Sequence, residues 1–480
     1  MKTNGLILLF LIIHAANGLS QAARLLPDNN RYLEYHGSPV VLITSAEHYG
    51  AVINAEFDFR KYLSELETEG FNYTRIFTGT YLEPVENIFG ITKNTLAPLP
   101  GKYVSPWSLS KGIYDLNKFN NAYFDRLKDF IREAGRRNII VEVTLFSSIY
   151  HDNAWKLSPF YFKNNCNKLD SIPLSLANTL FNKGLINYQI AFIKKLVNEL
   201  NDFDNLFFEI QNEPWSDNPC LVNYVNLSND SVFSNPWQTK VEIANPVSLQ
   251  WQQKIAETII ETEKGMKNQH LIAENISNFE YAVNQSIKGI SILNFHYASP
   301  HAVLLNNAVM CVKSLDETGF MPHKSELYID QAWRFILAGG GVYNNLDYSF
   351  IVGNEDGTWK IPDGNPGWGG PAFRKQLSYL AAFMKKLPFY EMNYCDTLIC
   401  SEKKIMQTGL MSKNGIYGVF LEDIEAKPLQ VKILPGDYIF KWLNVYTGEV
   451  VTEEATIDSR TWINSPFPCK VAALMINLKP

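Results

Sequence analysis

Hydrophobic and polar positions along the chain follow two alternating rhythms. Apolar runs at 40–45, 73–77, 139–145, 206–210, 271–274, 289–295, 309–315 and 341–345 are short and nearly unbroken, as buried strands are. Between and after them, at 57–69, 119–136, 186–201, 249–267, 279–286, 302–307, 329–338 and 373–387, apolar residues recur every three or four positions, which marks helices with one buried face. Eight such alternations predict parallel strands closed into a (β/α)8 TIM barrel. An open doubly wound sheet would carry a Gly-rich turn after its first strand, where Thr44-Ser45-Ala46-Glu47-His48 stands instead. Ahead of that strand, 31–35 and 40–45 flank His36-Gly37-Ser38-Pro39, a hairpin signal.

Beyond Pro388 the helical spacing stops, and alternating runs at 417–421, 429–433, 437–442 and 471–476 predict a small C-terminal β-sandwich. The barrel is therefore placed at 19–390 and the accessory domain at 391–480. Connections after the second, third, fourth and eighth strands are long (78–118, 146–183, 215–246 and 347–370). In barrel enzymes those ends carry the active site, and the long loops after strands two, three and eight would wall off one end of a cleft and favour terminal cleavage.

Composition narrows the chemistry. A net charge of −6 offers no basic face for phosphates, so nucleic acid is not an expected partner. Aromatic residues reach 13%, enough to supply both core and sugar-stacking platforms, with Trp107, Trp155, Trp359 and Trp368 in the long loops as candidates. The apolar stretch 5–13, followed by the small residues Ala15, Ala16 and Gly18, predicts a signal peptide over 1–18. The protein is then expected outside the cell, or in the periplasm of a Gram-negative source, with no membrane anchor. The six cysteines lack the spacing of a zinc site, and neither a metal nor a cofactor is expected. Export permits disulfides, and Cys166 and Cys220, both in long loops on one barrel face, are expected to pair. Sequons at Asn72, Asn226, Asn229, Asn275 and Asn284 become glycan acceptors only in a eukaryotic source. Oligomeric state is not legible.

The chemistry concentrates at strand ends. The fourth strand closes on Phe207-Phe208-Glu209-Ile210-Gln211-Asn212-Glu213-Pro214-Trp215, where Glu213 is either a proton donor or an acidic cap on the helix that Pro214 begins. The seventh closes on Ser314-Leu315-Asp316-Glu317-Thr318-Gly319. Neighbouring strand residues point to opposite faces, so only one of Asp316 and Glu317 is expected to enter the mouth, and the longer reach of Glu317 favours it.

The Asn212-Glu213-Pro214 motif resembles the acid/base signature of clan A retaining glycosidases, which include glycoside hydrolase family 5, the cellulase-like family. The resemblance implies Glu213 as acid/base and Asn212 holding the sugar 2-hydroxyl. It also implies Glu317 as nucleophile, with Arg75 keeping it ionised and Tyr297, preceded by His296, donating a hydrogen bond to it. Glu47, His48 and Tyr49 would meet substrate hydroxyls, or Glu47 would only satisfy buried polar neighbours. The family's tryptophan at the eighth strand is missing from Val342-Tyr343-Asn344-Asn345-Leu346-Asp347, so Tyr343, Asn344 or Trp368 would have to replace it. The segment 436–449 resembles the β-sandwich appendages of such enzymes. The expected activity is hydrolysis of glycosidic bonds in an oligo- or polysaccharide, with a transglycosylase and a non-catalytic carbohydrate-binding barrel as alternatives. A metal-dependent barrel hydrolase would need clustered ligands such as His-X-His on the first strand, where only Glu47-His48 stands.

Overall fold

The computed structural model describes residues 22–46, 49–85, 89–225, 240–284, 286–425, 427–458 and 461–479. The predicted signal peptide, Glu47, His48, Asn226 and Asn229 lie outside them.

All eight predicted strands form: β1 (Leu42–Ser45), β2 (Tyr73–Phe77), β3 (Ile140–Ser147), β4 (Leu206–Asn212), β5 (Ile272–Asn278), β6 (Ile292–His296), β7 (Val312–Glu317) and β8 (Val342–Asn345). They pair in parallel in the order β1-β8-β7-β6-β5-β4-β3-β2. Between β1 and β2 the Asn72 carboxamide stands in for a backbone rung, donating to Val41 O (2.9 Å) and accepting from Ile43 N (3.0 Å). That sequon is thus spent on closing the barrel. Asn275 is likewise buried and bonded, while Asn284 is exposed.

The helices obey local rules. In Phe59–Glu69, Asp58 caps the N-terminus by accepting from Arg60 N and Lys61 N, Gly70 ends it in the left-handed region, and Phe59, Tyr62, Leu63 and Leu66 face inward. Pro246–Glu263 starts with Asn245 as cap and Pro246 in its first turn. The helix expected over 279–286 is absent among the described residues. Phe279 turns left-handed (φ 60°), and side chains take the backbone donors a helix would use: Asn306 accepts from Val283 N (2.8 Å) and Glu274 from Ile287 N (3.3 Å). Two hairpins escape a helix-and-strand reading of the long loops: Trp107–Ser110 with Ile113–Phe119, and Pro219–Val225 with Lys240–Ala244.

Every barrel strand contributes one apolar side chain to the floor: Leu42, Tyr73, Ile140, Phe207, Ala273, Ile292, Val312 and Val342. The predicted hairpin, Leu33–Tyr35 with Ser38–Val40, covers that floor with Leu33 and Tyr35.

After Phe389–Glu391 the chain becomes antiparallel. Six strands pair in the order Asn393–Cys395, Met406–Met411, Ile416–Glu422, Val471–Leu478, Gly436–Leu443 and Val450–Ile457, and Ile399–Cys400, Leu429–Val431 and Trp462–Ile463 form a second sheet. Their core includes Trp442, Val419, Leu429 and Leu474. The sandwich is fastened to the barrel helix Ser325–Leu337 by Trp333 stacked on Phe420 (5.9 Å), Arg334 on Glu422 (2.8 Å) and Tyr446 on Asp330 (2.8 Å).

All six cysteines are unbridged, which overturns the expected Cys166–Cys220 pair. The two belong to different substructures. Cys166 N bonds Tyr114 O beside the first hairpin, whereas Cys220 is paired with Ile243 in the second. Among the described residues no helix is long and apolar enough to cross a membrane.

Candidate active site

Two residues above the floor on the same strand faces, alternation delivers a polar layer: Arg75 above Tyr73, Glu142 above Ile140, Glu209 above Phe207, Asn275 above Ala273 and Asn294 above Ile292. Arg75, fully buried, is its hub. It donates to both oxygens of Glu209 (2.6 and 2.9 Å), to Asn212 Oδ1 (2.7 Å), to Tyr49 Oη (2.8 Å) and to Glu317 Oε2 (3.0 Å). Glu209 also accepts from Thr144 and Asn275, and Glu142 from Tyr73 and, at 2.8 Å, Asn294.

The rim breaks the alternation, and so collects the reactive groups. On β4, Glu213 adopts a left-handed backbone (φ 48°), which lets Asn212 and Glu213 both face the centre. On β6, Tyr297 (φ 55°) does the same for His296 and Tyr297. Outside glycine that conformation costs on the order of 1–2 kcal/mol per residue, strain held by the surrounding contacts. On β7 the register against β6 slips between Asn294↔Ser314 and His296↔Glu317, so that a bulge opposes two β7 residues to one. Asp316 and Glu317 therefore both enter the mouth, contrary to the expectation that only one would. Asp316 sits deeper, 3.4 Å from Arg75 and 3.5 Å from His296, while Glu317 reaches the rim.

Glu317 Oε2 accepts from Tyr49 (2.5 Å) and Arg75, and Oε1 from Tyr297 (2.6 Å). Burial pushes its carboxyl up, but His296, Arg75 and the two tyrosine hydroxyls outweigh this and hold it below the ordinary carboxylate range. Glu213 accepts from His296 Nδ1 (3.0 Å) and from Tyr150 (2.8 Å), and its backbone N–H is held by Asn275 (2.9 Å). Asn212 donates to the Tyr150 hydroxyl (2.7 Å). Burial alone would lower the His296 pKa, yet Glu317 and Asp316 raise it well above the usual histidine value. Carboxylate oxygens of Glu213 and Glu317 and a ring nitrogen of His296 all lie within 4.8 Å of one another.

Among the described residues two carboxylate and histidine sets have the spacing to hold a cation, Glu209–His296–Asp316 and Glu213–His296–Glu317. In the first, Arg75 already supplies the positive charge at ion-pair distance from both acids. In the second, the charged state favoured for His296 keeps protons on the nitrogens a metal would need.

Of the remaining sequence candidates, Trp107 and Trp155 are core side chains. Tyr343 points outward and donates to Tyr328 O, and Asn344 bonds Ala46 N and Asp316 O. Trp368 stays half-exposed beside the mouth, its N–H bonded to Leu346 O just past β8 and its indole to Ser325. The sequence reading gives Tyr150 and Glu209 no role and Asn275 only that of a sequon. Glu209 was within reach, since it stands two residues above a floor phenylalanine on the same strand face. Tyr150 lies in a loop, where no period points to it.

No protein-family model matches the chain, and no curated protein matches its sequence. Solved structures do. A glycoside hydrolase family 5 structure from Bacteroides vulgatus superposes with a TM-score of 0.63 at 13% identity, over 95% of this chain and 93% of that one. Another glycoside hydrolase gives 0.60 at 13% identity, over 95% and 97%. The fold is similar to that of the glycoside hydrolase family 5 structure. The likeness extends over 95% of the chain, barrel and sandwich together, and at such identity it speaks to architecture alone.

Proposed function

We propose that the protein is a retaining glycoside hydrolase acting on an oligo- or polysaccharide, with Glu317 as nucleophile and Glu213 as acid/base. The observation that carries this is the pair of carboxylates at the ends of β4 and β7, with oxygens within 4.8 Å of each other. Retaining enzymes keep their carboxyl groups about 5–5.5 Å apart, whereas inverting ones leave about 6.5–9.5 Å for a water.

In the first step a Glu317 oxygen attacks the anomeric carbon while Glu213 passes its proton to the departing glycosidic oxygen. Arg75, Tyr49 and Tyr297 keep the attacking carboxylate ionised and aimed. His296, 3.0 Å from Glu213, keeps a proton within reach of the departing oxygen. Asn212, fixed by Arg75 and Tyr150, is placed for the sugar 2-hydroxyl. In the second step Glu213 takes a proton from water, whose oxygen displaces Glu317 and restores it. Trp368 is the aromatic surface offered to the reacting sugar.

The test is trapping. A 2-fluoro glycosyl donor with an activated leaving group should leave one covalent adduct, found by peptide mass spectrometry on Glu317. An adduct on Asp316, the deeper acid of the same bulge, would reassign the nucleophile.

A further inference from the structure

Resting on the glycosidase reading, the structure assigns a direction to the cleft: we propose that residues 89–96 form a strap that closes its glycone end, so that the enzyme removes the terminal, non-reducing sugar. The chord from Glu213 on β4 to Glu317 on β7 divides the mouth. One side holds β5 and β6, the other β8, β1, β2 and β3. The strap spans the second side completely. At one end Phe89 packs edge-on to Tyr150 (5.4 Å) and against His151 (5.6 Å), in the loop after β3. At the other, Thr92 bonds Asn365 (3.3 Å) and Lys93 lies over the Trp359 ring (5.5 Å), in the loop after β8.

The strap is anchored rather than merely laid across. Ile91 and Leu96 are buried, Leu96 O accepts from Glu83 N (3.0 Å), and Asn94 bonds the Glu83 carboxylate. Its approach to the loop after β1 is so close that a Cβ on Gly50 would lie 2.3 Å from Thr95 O, which only glycine permits. Beneath it, the space bordered by Tyr49, Glu83, Asn94, Leu96, Tyr348 and Phe350 is ≈ 40 Å3, room for a water and not for another sugar ring. Glu83 is 8% exposed and pairs with no cation among the described residues, so its oxygens at this closed end suit sugar hydroxyls.

The walled side is the glycone side because Asn212, the group placed for the 2-hydroxyl of the reacting sugar, is held by Arg75 of β2 and Tyr150 of the loop after β3. A chain can therefore extend from the scissile bond toward β5 and β6, but not beyond the reacting sugar on the other side.

The experiment is product analysis by the full-length protein on gluco-, manno-, xylo- and galacto-hexasaccharides tagged at the reducing end, with the matching aryl monoglycosides alongside. The expected result is release of one untagged monosaccharide per turnover and a tagged product one unit shorter. Tagged fragments of several lengths from the first turnover would overturn the strap proposal while leaving the glycosidase intact. Cleavage of neither oligosaccharide nor aryl glycoside would sink the glycosidase reading beneath it. Replacing 90–95 by a shorter Gly-Ser link should open the end and lower the ratio of monosaccharide to disaccharide by roughly tenfold. A variant that melts normally and still releases only monosaccharide would remove the strap as the cause, and if the variant does not fold, the product pattern of the unaltered enzyme decides alone.

Discussion

At the floor of the barrel Leu42, Tyr73, Ile140, Phe207, Ala273, Ile292, Val312 and Val342 meet as an apolar plug, one from each strand. A few residues higher on the same strands, Glu142, Glu209, Glu213, Asp316 and Glu317 surround Arg75 and His296, five acids to two cations among the described residues. The floor keeps strict alternation and buries carbon against carbon, which is favourable without any partner. The mouth breaks alternation at Glu213, Tyr297 and the β7 bulge, and buries charge that must be paired to be tolerated. Apolar packing thus occupies one end of the strands and the ionisable groups of the proposed site the other. The division can be attacked from either side.

The largest expected effect falls at the mouth. Glu317→Gln should lower kcat by on the order of 10^4-fold, about 5.4 kcal/mol of barrier. It should also lower Tm modestly, because the fold favours the ionised form of Glu317 and the amide keeps only one of the two oxygens that Tyr49, Arg75 and Tyr297 bond. Calorimetry and steady-state kinetics on one preparation test both halves. A Tm that stays or rises would mean that relief of crowding among the acids outweighs the ion pairs lost with the charge.

The reverse experiment addresses the floor. Phe207→Ala leaves a cavity under the ionic layer and should cost about 3–5 kcal/mol of stability. The activity of the molecules that remain folded should hold, since Glu209, two residues above, is gripped independently by Arg75, Thr144 and Asn275. Denaturant unfolding gives the first quantity and active-site titration with the trapping reagent the second. A loss of kcat per titrated site would show that the plug also positions the mouth.

The same division explains what the sequence discloses. Eight strands and the floor follow from period, since a side chain's face is set by parity along a strand. Parity also yields Arg75, Glu209 and Asp316 as inward residues. It does not yield Glu317 beside Asp316, because the bulge is a choice of register between two strands, and no residue in Ser314-Leu315-Asp316-Glu317 signals it. In the sequence the reach of glutamate and the family resemblance together favoured Glu317 over Asp316, whereas the bulge admits both. The missing helix at 279–286 is a related case. Its apolar spacing suits a helix, but Asn306 and Glu274, distant in sequence, capture the backbone donors first. The Cys166–Cys220 pairing failed for want of the hairpins that separate the two loops, again a matter of tertiary placement.

The smallest effect concerns pH, and separates the two cations of the mouth. Glu317 is buried, which by itself would raise its pKa, but His296 and Arg75 together hold it lower than an ordinary carboxyl. The sign follows. A depressed folded value means that Glu317 contributes stability at pH above its unfolded value, about 4.3, and that this is lost as pH falls through the lower folded value. If Glu317 is the nucleophile as proposed, the acidic limb of kcat/KM, which would report its ionisation in the free enzyme, should lie below the ordinary carboxylate range. His296 runs oppositely: its raised value keeps it charged through neutrality, and its contribution fades only as pH climbs through that value. His296→Gln removes this charge while Arg75 stays 3.0 Å from Glu317, so the acidic limb should move up by about one pH unit. A limb that does not move would mean that Arg75 and the hydroxyls of Tyr49 and Tyr297 alone hold the nucleophile ionised, leaving His296 to serve Glu213.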